Sequence, residues 1–174
     1  MTAVCRIKTK NLSNILVNYS YPTKFMVKNF SAELKKAETK KGQPEEALQH
    51  YLKAESIYRG DFLAETPYED WCLQHREHFK TQFLDLLVKL LKSHETINDY
   101  DRCITLANTY LEQDPYSEEI YKALMGYYAT KGNLAMATLT FEKCREFIIE
   151  DLGCPLNKET ESFYNEILSG QTHS

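Results

Sequence analysis

The sequence predicts an all-α fold, a right-handed stack of about three helix pairs with a crossover insertion after the first. Three observations carry this. Apolar residues recur at three- and four-residue steps through most of residues 25–168. Helix-stopping residues (Gly42, Gly60, Asn98-Asp99, Asp114-Pro115, Gly132, Gly153) cut that pattern into helix-sized segments. Matched residue types return when the chain is shifted by 34 positions.

Residues 4–18 alternate weakly, with Val4, Ile7, Ile15 and Val17 on two short runs, and predict a small β-hairpin. A lone hairpin is marginal in water and must pack on something. Tyr19–Thr23, with Pro22, reads as a linker, so residues 1–24 form one unit. Residues 25–41 predict a helix with Phe30, Leu34 and Ala37 on one stripe, stopped by Gly42. Pro44 in a first turn, followed by Glu45 and Glu46, starts the next helix, which runs to about Tyr58 with Ala47, Tyr51 and Ala54 inward. Residues 60–68 are irregular. A long helix from about Tyr68 carries Phe79, Phe83, Leu86, Leu87, Leu90 and Leu91, a stripe wide enough for burial on more than one side. A helix over about Asp101–Leu111 follows. Ser117 is the expected N-cap of another, with Ile120, Tyr121, Leu124, Met125 and Tyr128 inward. The last long helix spans about Leu134–Asp151, and Thr160–Leu168 closes a domain of residues 25–168. Residues 169–174 are a flexible tail.

Under the 34-residue shift Leu87 falls on Tyr121, Leu90 on Leu124 and Leu91 on Met125. Asn98 falls on Gly132, Cys103 on Ala137 and Ala107 on Phe141. Gly42, Ala47, Tyr51 and Ala54 repeat the spacing of Gly132, Ala137, Phe141 and Cys144, which defines the first pair and leaves an insertion from Gly60 to about Thr81. This is the tetratricopeptide period. Each helix pair has an apolar face that it can bury only on the next pair.

The crossover and the C-terminal end resemble a more specific family. Tyr58-Arg59-Gly60-Asp61-Phe62-Leu63, then Trp71 and Arg76, resemble the bacterial transcriptional activator domain. So do Asp99-Tyr100, Asp114-Pro115, Lys131-Gly132-Asn133, Leu152-Gly153-Cys154-Pro155 and Glu159-Thr160. That domain is the tetratricopeptide-like helical region of antibiotic-regulatory (SARP-type) bacterial transcription regulators. The resemblance implies a signalling and transcription-regulation role beside a winged-helix DNA-binding domain. That winged helix would precede residue 25 and is absent from this chain; residues 1–24 would be at most its remnant. The implied partners are that domain, a second copy of the chain, and a protein or peptide. DNA is reached only through the missing domain.

Bulk properties agree with a cytoplasmic protein. No apolar run approaches the roughly 18 residues that a membrane helix needs. The five cysteines are widely spaced with no C-x-x-C pair, unlike a disulfide framework. Net charge is −4, divided between a basic stretch at residues 1–44 and an acidic remainder. The basic start either faces something negative or is one solvated helix face carrying Lys35, Lys36, Lys40 and Lys41.

No catalytic set emerges, so the chain is expected not to be an enzyme and to need no cofactor. Cys72, His75 and His78 could suggest a metal site, but on a helix positions six apart diverge by about 120°. No G-x-S-x-G and no glycine-rich phosphate loop occurs. Trp71, the only tryptophan, is expected to pin the crossover to the long helix or to anchor an interdomain contact. Arg76 would pair there with Asp61, Glu65 or Asp70. In tetratricopeptide-like stacks the first helix of each pair lines the concave face, which here presents Asp85, Val88 and Lys92, then Glu119, Lys122 and Gly126. These form the candidate partner-binding surface. The reading is a non-catalytic interaction domain that positions or dimerises an upstream winged helix. The alternative is a free-standing peptide-binding adaptor.

Overall fold

In the computed structural model of the chain, residues 21–40, 42–58 and 70–170 are described, with side chains described from residue 26 in the first stretch and residue 76 in the third. The expected N-terminal hairpin, the crossover at residues 60–68, the side chains of Trp71, Cys72 and His75, and residues 171–174 lie outside this description.

The described residues form α1 (Tyr21–Thr39), α2 (Pro44–Ile57), α3 (Asp70–Thr96), α4 (Tyr100–Gln113), α5 (Glu118–Thr130), α6 (Leu134–Arg145) and α7 (Lys158–Ser169), with no strand among them. A π-helical segment, Glu146–Asp151, extends α6. Each helix packs on the next, giving pairs α1–α2, α3–α4 and α5–α6, and α7 lies on both α5 and α6. The fold class is the one that the periodicity predicts. Part of the insertion is helical, since residues 70–81 form the first three turns of α3.

Two helix starts differ from expectation. The linker assigned to Tyr19–Thr23 gives way to α1 at Tyr21, with Pro22 in the first turn. There the missing N–H has no intrahelical partner to lose. Ser117 is the N-cap of α5 but makes no side-chain capping bond.

The core is built mainly on α3. Phe79, Phe83, Leu86, Leu87, Leu90 and Leu91 are all buried, and each contributes about 1.5–3 kcal/mol by leaving water. Phe30 of α1 meets Phe79 with ring centroids 5.5 Å apart, and Tyr58 stacks on Phe83 at 3.6 Å. A second cluster joins Tyr121, Met125, Ala137, Phe141 and Cys144 to Ile167 of α7, with Phe141 stacked on Tyr164 at 4.0 Å. Cys103 and Ala137, matched by the repeat, are both fully buried. On α5 it is Tyr127 that is buried, while Tyr128 is only half-buried. Tyr127 reaches back to α3, donating its phenol to Glu95, and packs near Tyr100.

Polar clasps join successive pairs. Arg102 Nη2 of α4 donates to Glu55 Oε1 of α2 at 2.7 Å. Lys131, in the turn after α5, pairs with Asp101 of α4. The turns between paired helices are alike in the second and third pairs. The Asp99 N–H reaches the His94 carbonyl at 3.0 Å, and the Asn133 N–H reaches Tyr128 at 2.8 Å. The side chains of Asp99 and Asn133 then cap α4 and α6 by accepting from Arg102 N and Met136 N.

Candidate functional site

Two surfaces among the described residues are candidates for partner binding. The first is the face made by the first helices of the pairs, where the sequence places the candidate binding residues. Asp85 and Lys92 of α3 are exposed, and Val88 between them is half-buried against the core. On α5, Glu119 is exposed. Asp85 and Glu119 both bear electrostatically on the Tyr110 phenol, whose proton affinity is raised chiefly by burial. Arg76 is half-buried and has an interaction partner.

Lys122 and Gly126 sit differently, because α7 crosses this face at the third pair. Phe163 lies over Gly126, where an added Cβ would meet its ring at 3.4 Å. Lys122 Nζ is 3.5 Å from Glu159 Oε2. The Asn157 N–H donates to Glu118 Oε1 at 2.8 Å, fixing the start of α7. Any partner on the first-helix face therefore finds Asp85, Val88 and Lys92 open, and Lys122 already engaged.

The second surface was not anticipated. Between the second helices α4 and α6, over α5, lies a groove of about 700 Å³. Leu111, Leu124, Tyr128 and Met136 line it, with Leu139 exposed at its edge. Its acidic residues are Glu112, Glu142, Glu146 and Glu150, against one cation, Lys143. Phe147 lines it too, set edge-on against Tyr116, whose phenol donates to Asp151 at 2.6 Å. The sequence carried one sign of this surface. Glutamates at 142, 146 and 150 recur at four-residue steps, and Leu139 falls off the packing stripe.

Reactive chemistry is not assembled among the described residues. No group of three His, Cys, Asp or Glu residues is placed to hold a metal ion there. Burial pushes the Cys103 thiol up to about 11 and the Cys144 thiol up to about 12, so both stay protonated and unreactive. His94 Nδ1 lies 3.0 Å from Asp99 Oδ2, tying the end of α3 to the following turn. Among the described residues no helix is long and apolar enough to cross a membrane.

The sequence model of the bacterial transcriptional activator domain matches residues 27–168. Among curated proteins, none matches the sequence. Two solved structures share the fold. One is EmbR of Mycobacterium tuberculosis in complex with a low-affinity phosphopeptide, with 16% identity and a TM-score of 0.63 over 88% of this chain and 40% of that one. The other is the C-terminal TPR-containing domain of a putative FK506-binding protein of Plasmodium falciparum, with 17% identity and a TM-score of 0.53 over 90% of this chain and 95% of that one. The chain thus spans less than half the length of the EmbR chain.

Proposed function

This chain belongs to the bacterial transcriptional activator domain family, and from that premise we propose that it is the non-catalytic regulatory and interaction region of a SARP-type transcription regulator. The supporting observation is that the family match runs from Val27 within α1 to Leu168 within α7, through all three pairs. Such a stack presents extended surfaces, and no acid–base constellation is gathered among its described residues.

The mechanism is positional. The helical domain docks on a winged-helix DNA-binding domain of its parent protein and on a second copy of itself, and so sets how two DNA-binding domains are spaced. Trp71 and Arg76 hold the interdomain contact at the start of α3. Asp85, Val88, Lys92 and Glu119 form the face for a protein or peptide partner, which Lys122 joins by exchanging its contact with Glu159. EmbR was solved with a phosphopeptide, which supports protein partners for this chain in general terms. The setting is the cytoplasm, where a DNA-binding parent works.

Sedimentation equilibrium over a concentration series tests the dimer. Self-association, weakened by Trp71→Ala, is the expected result. A chain that stays monomeric even when joined to its DNA-binding domain on DNA defeats the spacing mechanism. The reading frame upstream of Met1 tests the parentage. Winged-helix sequence there supports the regulator, and its absence turns the assignment to a free-standing adaptor.

A further inference from the structure

The groove between α4 and α6 has a chemistry separate from the first-helix face. Its floor is apolar, and Leu139, 56% exposed, carries that apolar lining to the surface. The wall formed by α6 and its π-helical extension carries Glu142, Glu146 and Glu150 along one side of the groove. Glu112 faces them from α4. Glu142 pairs with Arg145 at 3.2 Å. Glu112, Glu146 and Glu150 have no ion pair among the described residues. A neutral apolar ligand would fill the trough and leave these carboxylates unanswered, and an anionic one would be repelled.

We propose that this groove binds a cationic amphipathic helix of a partner protein, with its apolar stripe on Leu111, Met136 and Leu139 and its Lys or Arg residues, spaced four apart, on Glu146 and Glu150. An α-helix seated along the groove brings Lys or Arg residues four apart to one side, so two of them can reach Glu146 and Glu150 together. The occupant goes beyond the positional role above, because it uses the second-helix side of the stack.

The test uses the full chain and a fluorescein-labelled 14-residue peptide of two Leu-Lys-Lys-Leu-Leu-Lys-Leu repeats, followed by anisotropy. Saturable binding is expected. Glu146→Lys with Glu150→Lys should weaken it about tenfold or more, since like charges then face each other. Leu139→Ser should weaken it by about threefold or more through lost apolar contact. An equal charge reversal elsewhere, Glu77→Lys with Glu161→Lys, should change it less than about twofold, as distant exposed charges are screened. A carbodiimide cross-link should join peptide lysines to Glu146 or Glu150. Equal weakening by the distant reversal, equal binding of the peptide with Glu in place of Lys, or cross-links elsewhere would overturn the proposal. So would a cross-link in the unliganded chain from Lys8 or Lys10 to the groove, within one copy or between two, which would make the chain's own N-terminal segment the occupant.

Discussion

Asn98 and Gly132, 34 residues apart, hold the same left-handed backbone conformation, with φ of 56° and 71°. Each ends the first helix of its pair, and each is followed by a residue whose side chain caps the second helix. The repeat is therefore conserved within this chain down to single dihedral angles. The two positions should respond oppositely to substitution. Asn98→Gly relieves a strained φ and should stabilise by about 0.5 kcal/mol, reduced from a larger gain because the Tyr100 hydroxyl loses its bond to Asn98 Oδ1. Gly132→Ala has open space around the new Cβ, so its cost is conformational alone, about 1 kcal/mol. Urea titration of both variants reads the two signs, and destabilisation by Asn98→Gly would show that the tyrosine bond outweighs the strain.

Gly126 decides how closely α7 can lie on α5. A methyl group there would touch Phe163 at 3.4 Å, an ordinary contact, while removing a glycine from a helix interior. Gly126→Ala should therefore stabilise by about 0.5–1 kcal/mol. Gly126→Leu has no such room and should displace α7. Hydrogen exchange would show this as faster exchange confined to residues of α7, with α3 unchanged.

Arg102 and Glu55 couple the first two pairs across 47 positions of sequence. Their side chains are 32% and 21% exposed, so water screens the bond only partly. A double-mutant cycle with Arg102→Ala and Glu55→Ala should give a coupling of about 1–2 kcal/mol, near the range for hydrogen bonds to charged groups. Arg102→Lys should recover less than half, because an ammonium group cannot present the guanidinium fork. A coupling near zero would mean that apolar packing alone holds α2 to α4.

Most of the scaffold was legible in the sequence, because its signals are local. The six core residues of α3 lie on one stripe, and Gly132 and Gly153 mark helix ends by a conformation that glycine favours. What escaped depends on contacts between pairs. Helical spacing alone could not choose between Tyr127 and Tyr128, which are neighbours on α5. Tyr127 is buried in the core of the preceding pair, where Glu95 accepts a hydrogen bond from its phenol. The π-helical turn, with the Leu152 N–H reaching the Phe147 carbonyl, shifts the register by one residue in a way that no residue type signals. On the first-helix face the spacing located Lys122 and Gly126 but not the helix that covers them. The acidic groove was hidden for the same reason, since its walls come from α4 and α6 and its floor from α5.

The buried acids predict how the fold ends at high pH. Burial, reinforced by the bond to Glu95, holds the Tyr127 phenol far above its ordinary value. Burial also pushes Tyr121 up to about 12, Cys144 up to about 12 and Cys103 up to about 11. Each of these groups is a neutral acid whose folded pKa exceeds its unfolded one. Above the unfolded values, about 8.5 for Cys and 10 for Tyr, the unfolded chain has released protons that the folded chain retains, so stability falls as pH rises. The loss should begin near pH 9 with the thiols and steepen above pH 10 as the tyrosines join. Tyr127→Phe removes the largest phenol contribution. It should unfold more easily at neutral pH, by about 1–3 kcal/mol, because Glu95 loses its donor. Between about pH 10 and 11 it should also lose stability less steeply with pH than the parent chain. Urea midpoints measured from pH 7 to 11 test both effects. Parallel curves for the two proteins would mean that the Tyr127 phenol ionises in the folded chain as readily as in the unfolded one.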